Sequence, residues 1–173
     1  KNFINNVGIA CNSLFIQGSS GMGKTHLINA MAMHLKNKKT PFIYQSSDRF
    51  IKEYINAVRT NNIDKFEKIF ELADFFFIDD IQTIAKKTHT QEIFLKIINT
   101  LINKQKKIIL TSDFHPRNIS GLSEKLLSRL IKRYRGKPLI NNAHCVGVHP
   151  VATTKKQQLA RLDRKLFETK EFY

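Results

Sequence analysis

The 173 residues suit one domain with a real core, since 42% are hydrophobic and 25% charged. No apolar run approaches a membrane span or a signal core, and Cys11 and Cys145 stand in no C-x-x-C pair, which argues against a membrane-embedded or disulfide-framed protein and for the cytosol. Lys and Arg number 29 against 14 acidic residues, a formal charge of +15. That charge points to a polyanionic partner, nucleic acid before an acidic phospholipid surface, unless it is only a solvated basic exterior.

Residues 1–13 carry little pattern and read as an irregular lead-in; the chain starts at Lys1 without an initiator Met, as expected of a piece of a longer protein. Leu14–Gln17 reads as the first strand. It runs into Gly18, Ser19, Ser20, Gly21, Met22, Gly23, Lys24 and Thr25, the G-x-x-x-x-G-K-[ST] phosphate loop, ahead of a helical pattern from Lys24 to about Asn37. Glycines let the backbone turn its N–H groups onto a phosphate, and the following helix presents its positive dipole end to the same anion. Lys24 is then expected to reach the β- and γ-phosphates and the Thr25 hydroxyl to ligate Mg²⁺.

Pro41–Ser46 reads as a second strand, with Ser47 or Asp48 capping a helix from Arg49 to about Arg59. Phe50, Tyr54, Ile55 and Val58 share one face of it at helical spacing. Thr60–Asn61–Asn62 breaks the pattern, and Ile63 to Leu72 resumes it through Phe66, Ile69 and Phe70. Phe75–Phe76–Phe77–Ile78 fits a strand buried on both faces, with Asp79 and Asp80 at its C-terminal end. Thr90 to Asn103 is a helix with Ile93, Phe94, Ile97, Ile98 and Leu101 inward. Lys107–Thr111 is a strand followed by Ser112–Asp113, and Leu122 to about Tyr134 is mostly helical. Cys145–His149 reads as a last strand and Thr154 to about Lys170 as a last amphipathic helix. His144, Cys145 and His149 fit alternate strand positions better than any standard metal spacing.

Alternating strands and helices imply a three-layer α/β domain over residues 1–173, a parallel sheet with helices on both faces. Right-handed crossovers bring Gly18–Thr25, Asp79–Asp80 and Ser112–Asp113 to one sheet edge, where such folds bind ligands. A carboxylate ending a hydrophobic strand is the Walker B pattern. Asp79 would hold Mg²⁺, and Asp80 would orient or deprotonate the attacking water or else cap the next turn. Ser112–Asp113 would face the γ-phosphate or form an Asx turn. Arg129, on a helix beyond, is either a surface charge or an arginine that completes a neighbour's site.

Five segments then come in the order and at about the spacing of a known family. They are Gly18 to Leu27, Phe77–Ile78–Asp79–Asp80–Ile81–Gln82, Thr90–Gln91–Glu92–Ile93–Phe94, Leu110–Thr111–Ser112–Asp113, and Leu126–Leu127–Ser128–Arg129–Leu130. Over about Asn12 to Leu130 the chain resembles the AAA+ core of DnaA-type bacterial replication initiators. The resemblance implies a P-loop fold that binds ATP or ADP with Mg²⁺ through Gly18 to His26, with Thr25 and Asp79 at the metal. It implies slow ATP hydrolysis used as a switch, with Asp80 at the water, Asp113 as sensor 1 and Arg129 acting in trans beside Lys125. It further implies head-to-tail self-association on origin DNA to open the strands, the single strand gripped by Ile55, Lys87 and His89, and possible contact with the replicative helicase.

Departures from the family pattern are a histidine at 89 where arginine is more usual, Leu130 for the usual Phe, and residues 131–144, a basic DNA-touching loop or a diverged insertion. The family's helical lid and helix-turn-helix domain are not represented, unless 154–173 is the first lid helix. Two other readings stand beside this one: a helicase-loader or transposition-helper ATPase of DnaC/IstB type, and a degenerate initiator fragment that only binds nucleic acid.

Overall fold

The computed structural model describes residues 13–133, 138–140, 143–144 and 148–150, with side chains through residue 130. In chain order β1 (Ser13–Gln17) leads to α1 (Lys24–Asn37), β2 (Phe42–Ser46), α2 (Ser47–Arg59) and α3 (Ile63–Glu71). Next come β3 (Phe75–Asp79), α4 (Thr88–Asn103), β4 (Lys107–Ser112) and α5 (Glu124–Arg133). Short strands β5 (Pro138–Ile140), β6 (Ala143–His144) and β7 (Val148–Pro150) follow. Five strands form one parallel sheet in the order β2-β3-β4-β1-β7.

Strand side chains alternate between two cores, as a pleated backbone requires. Leu14, Ile16, Phe75, Phe77 and Ile109 face α1 and meet its Ile28, Met31 and Leu35. Phe15, Phe76, Ile78, Ile108 and Leu110 face the other way and meet residues of α2, α3, α4 and α5. Phe50 anchors that second core, with its ring 5.4 Å from Phe66, 5.8 Å from Phe70 and 5.4 Å from Phe94. Because both faces are covered, β3 reads as a continuous apolar run, and the layered architecture expected from the sequence is the one observed.

Several local expectations are corrected. The cap of α2 is Ser46, whose Oγ accepts from Arg49 N at 3.3 Å, so Ser47 and Asp48 are already inside the helix. Its inward face is Phe50, Ile51 and Ala57 with Tyr54 half-buried, while Ile55 and Val58 stand in solvent. On α3, Phe66 and Phe70 are buried but Ile69 is exposed. Both helices lie against a single sheet face, so only a narrow part of each apolar stripe finds a partner. Ser13 belongs to β1, α4 starts at Thr88, and α5 starts at Glu124 after Ser123, whose Oγ accepts from Leu126 N at 3.4 Å. Within the expected insertion, β5 and β6 pair antiparallel, in keeping with the strand preference of Leu139 and Ile140. The last strand lies at Val148–Pro150, while Cys145 and the helix expected after Thr154 fall outside the described residues.

Phe94 is fully buried and Leu72 is 78% exposed. Phe94→Ala is expected to destabilise the chain by about 3–5 kcal/mol in urea unfolding. Leu72→Ala should stay within about 0.5 kcal/mol of the parent.

Candidate nucleotide site

The C-terminal ends of β1, β3 and β4 share one edge because the register aligns them, Gln17 opposite Ser112 and Ile78 opposite Leu110. Gly18 N extends that ladder by donating to Ser112 O at 3.2 Å, which ties the loop after β1 to the loop after β4. Gly21 (φ 77°) and Gly23 (φ 87°) are left-handed. A Cβ at Gly21 would meet nothing within 4 Å, so the backbone conformation, not space, favours glycine there. Gly23 opens α1, and its carbonyl accepts from Leu27 N at 2.9 Å.

Lys24 is only 6% exposed. An ammonium taken out of water needs a partner for each of its three N–H bonds. Lys24 Nζ has them: Gly18 O at 2.8 Å, Ser19 O at 3.2 Å, and Asp113 Oδ1 in a close ion pair. Next to it, Thr25 Oγ1 donates to Asp79 Oδ2 at 2.7 Å. Asp79 Oδ1 accepts from Thr111 Oγ1 of β4, and that same hydroxyl oxygen accepts from Asp80 N at 2.9 Å. The carboxylate of Asp79 and the backbone of Asp80 are thus held from the neighbouring strand by a threonine that no local sequence signal singles out.

Asp80 has φ 58° and ψ 55°, left-handed backbone that costs a non-glycine residue roughly 1 kcal/mol. It stands at the start of the 3₁₀ turn Ile81–Ile84, yet its side chain makes no capping bond. Its Oδ1 accepts from Gln82 Nε2 at 3.2 Å, and Gln82 Oε1 accepts from Asp113 N at 3.4 Å. The turn after β4 is made by Ser112, whose Oγ accepts from Phe114 N at 3.0 Å, leaving the Asp113 carboxylate to Lys24. Hydrogen bonds therefore connect Lys24, Asp113, Gln82, Asp80, Thr111, Asp79 and Thr25 in one circuit. Gln82 and Thr111 were not singled out from the sequence for their chemistry. Each bonds across to a partner about thirty positions away, Thr111 to Asp80 and Gln82 to Asp113, beyond the reach of local pattern.

Burial, then the charge of Asp79, holds the Asp80 carboxyl above its ordinary value. Asp113 adds to this, while the Gln82 bond and Lys24 oppose it. The Tyr44 phenol on β2 is likewise raised, first by burial and then by Asp79 and Asp80, so it is a neutral neighbour of the pair.

The other residues picked from the sequence lie elsewhere. Ser19, Ser20 and His26 are exposed around the loop, and Met22 N donates to Ser19 O at 3.2 Å. Arg129 sits on α5, and its Nε donates to Asn99 Oδ1 of α4 at 2.5 Å. Lys125 and Arg129 line one shallow cavity with Leu95, Asn99, Glu124 and Ser128. Ile55 is exposed on α2, while Lys87 and His89 are exposed at the start of α4. His89 Nδ1 lies 3.6 Å from Glu92 Oε2. The side chains of His144, Cys145 and His149 lie outside the described residues.

The family profile of the bacterial DnaA ATPase domain matches residues 1–134. The chain is 45% identical over 126 residues to the chromosomal replication initiator protein DnaA of Francisella tularensis subsp. novicida, a match covering 72% of this chain and 26% of that protein. In structure it is similar to AMPPCP-bound DnaA from Aquifex aeolicus, with 28% identity and a TM-score of 0.75 over 99% of this chain and 51% of that one. It is also similar to a replication initiator DnaA bound to AMPPCP and single-stranded DNA, with 31% identity and a TM-score of 0.73 over 95% of this chain and 48% of that one. The chain spans about a quarter of the length of the curated relatives it matches.

A carboxyl whose folded pKa is raised binds its proton more tightly in the folded state. Stability is therefore lost as pH rises from the ordinary carboxylate value through the raised one. Asp80→Asn removes that loss. Its stability advantage in urea unfolding should grow as pH rises from the ordinary carboxylate range through the raised value. The growth adds to a constant offset from asparagine's ease in left-handed backbone. A difference that is flat across that range would contradict the environment described for Asp80.

Proposed function

The chain belongs to the bacterial DnaA ATPase domain family. From that premise we propose that it is the nucleotide-binding core of a replication initiator, taking ATP or ADP with Mg²⁺ and assembling on origin DNA in its ATP form. The observation that carries this reading is the convergence of Lys24, Thr25, Asp79 and Asp113 on one sheet edge beside a glycine-built loop. The family match favours it over the helicase-loader alternative.

The residues at this edge suit the nucleotide's end groups. Backbone N–H groups of the first turn of α1, which starts at Lys24, offer an anion cradle. Lys24 exchanges one of its present acceptors for phosphate oxygen. Thr25 Oγ1 and Asp79 Oδ2, 2.7 Å apart, are hard oxygen donors of the kind Mg²⁺ takes. Mg²⁺ in general keeps several waters, so one hydroxyl and one carboxylate would be enough protein to hold it. When bound, the ion neutralises phosphate charge. Asp80 is placed to orient a water and accept its proton, and its raised pKa is the direction a slow base at neutral pH needs.

Arg129 does the rest from outside. Held by Asn99 on α4, it reaches the nucleotide of an adjacent copy in a head-to-tail assembly, with Lys125 one turn earlier on the same cavity. Single-stranded DNA lies along Ile55, Lys87 and His89. The α2 helix packs against the 3₁₀ turn that precedes Lys87, so the aliphatic contact and the cation belong to neighbouring elements. His89 faces Glu92 and adds little fixed charge to a backbone grip.

Lys24→Ala should abolish ATP and ADP binding measured by calorimetry with Mg²⁺. Undiminished affinity would overturn the phosphate-loop assignment. Arg129→Ala should bind ATP like the parent and yet fail to assemble on single-stranded DNA in its presence. DNA binding should also fall steeply with salt, as phosphate contacts require. Unchanged assembly by Arg129→Ala would remove the trans role.

A further inference from the structure

Gln82 bonds both Asp80, just after β3, and Asp113, just after β4. Its turn, Ile81–Ile84, is pinned by Ile81 and Ile84, both fully buried in the core, so Gln82 is held over the sheet edge. An amide has one donor end and one acceptor end. Here the donor end is committed to Asp80 Oδ1 at 3.2 Å and the acceptor end to Asp113 N at 3.4 Å. A carboxylate could serve only the second partner, and an apolar side chain neither.

We propose that Gln82 is a two-ended positioning residue that fixes the carboxylate of Asp80 relative to the loop that carries Asp113. This rests on the nucleotide reading above and assigns that site one further residue. Without its amide, Asp80 keeps its backbone bonds to Thr111 and Thr83, but its carboxylate loses Gln82 and turns about its own side-chain torsions. The Asp113 loop likewise loses a backbone anchor. Lys24 would then meet Asp113 in a less defined place, and Lys24 is the cation that a third phosphate must share. A diphosphate ends one group short of Asp113, and Lys24 stays tied to Gly18 O and Ser19 O beside its β-phosphate, so ADP binding changes little with Gln82. The two bonds thus predict two separate losses: hydrolysis through Asp80, and preference for ATP over ADP through Asp113.

The test uses the parent chain, Gln82→Met (similar in length, with neither hydrogen-bonding end) and Lys24→Ala. Three quantities are read: ADP and ATP affinities by calorimetry, single-turnover hydrolysis of radiolabelled ATP, and melting temperature. Gln82→Met should bind ADP within about twofold of the parent and melt close to it, since Gln82 is only half-buried. Its ATP-over-ADP ratio should fall roughly fivefold, the scale of one hydrogen bond. Hydrolysis should fall about tenfold or more, as expected when a proton acceptor is misplaced.

An unchanged ratio, with or without lost hydrolysis, overturns the two-ended role. Unchanged hydrolysis overturns it equally. If the parent's hydrolysis is too slow to time, the ratio alone decides. A parallel loss of ADP binding and melting temperature would show Gln82 to be a structural residue and would also overturn it. Failure of the underlying reading has a different signature, unaltered nucleotide binding in Lys24→Ala.

Discussion

The candidate site depends on a buried lysine. An ammonium only 6% exposed is tolerable in a protein interior only where its hydrogens are all taken and an opposite charge stands beside it. The loop after β1 supplies two carbonyls and the loop after β4 supplies the carboxylate. For those three groups to converge, β1 and β4 must be adjacent, parallel and in register, and Gly21 and Gly23 must take left-handed backbone. Sheet order, strand register and glycine placement can all be read as conditions for Lys24.

A second consequence concerns charge. Asp79, Asp80 and Asp113 gather within a small region whose cation is Lys24. The protein offsets this crowding with neutral donors, Thr25, Thr111 and Gln82, each directed at a carboxylate oxygen. Burial and the neighbouring charges still leave Asp80 raised. A cluster of this kind is costly in the resting protein, and carboxyls so perturbed in a cleft are what mark a candidate site. The left-handed backbone of Asp80 fits the same picture of local strain held by surrounding bonds.

Much of the architecture was legible because it rests on local pattern. The run Phe75 to Ile78 announced a strand buried on both faces, and the phosphate-loop spacing announced the strand–turn–helix around Lys24. The α2 face was misjudged because Ile55 and Val58 keep helical spacing with Phe50 but lie past the strip the sheet can cover. Ser46 was passed over as a cap because its strand pattern ran through it. Thr111 and Gln82 were passed over for a different reason. Their importance is relational, set for Thr111 by Asp79 and for Gln82 by the backbone of Asp113, each about thirty residues away, and by a turn that only the folded core aims. The family resemblance supplied places for Asp113 and Arg129; the structure adds their partners, Lys24 and Asn99.

The central claim is that the circuit from Lys24 to Thr25 is a preformed seat for a nucleotide's phosphates. Backbone hydrogen–deuterium exchange of the chain, with and without ATP and Mg²⁺, tests it without altering a residue. The account predicts slower exchange in 18–25, 79–82 and 111–113, and little change around the groove lined by Phe42, Asn56, Lys65 and Ile69. Protection confined to that groove, or none at all at nucleotide concentrations that bind, would contradict it.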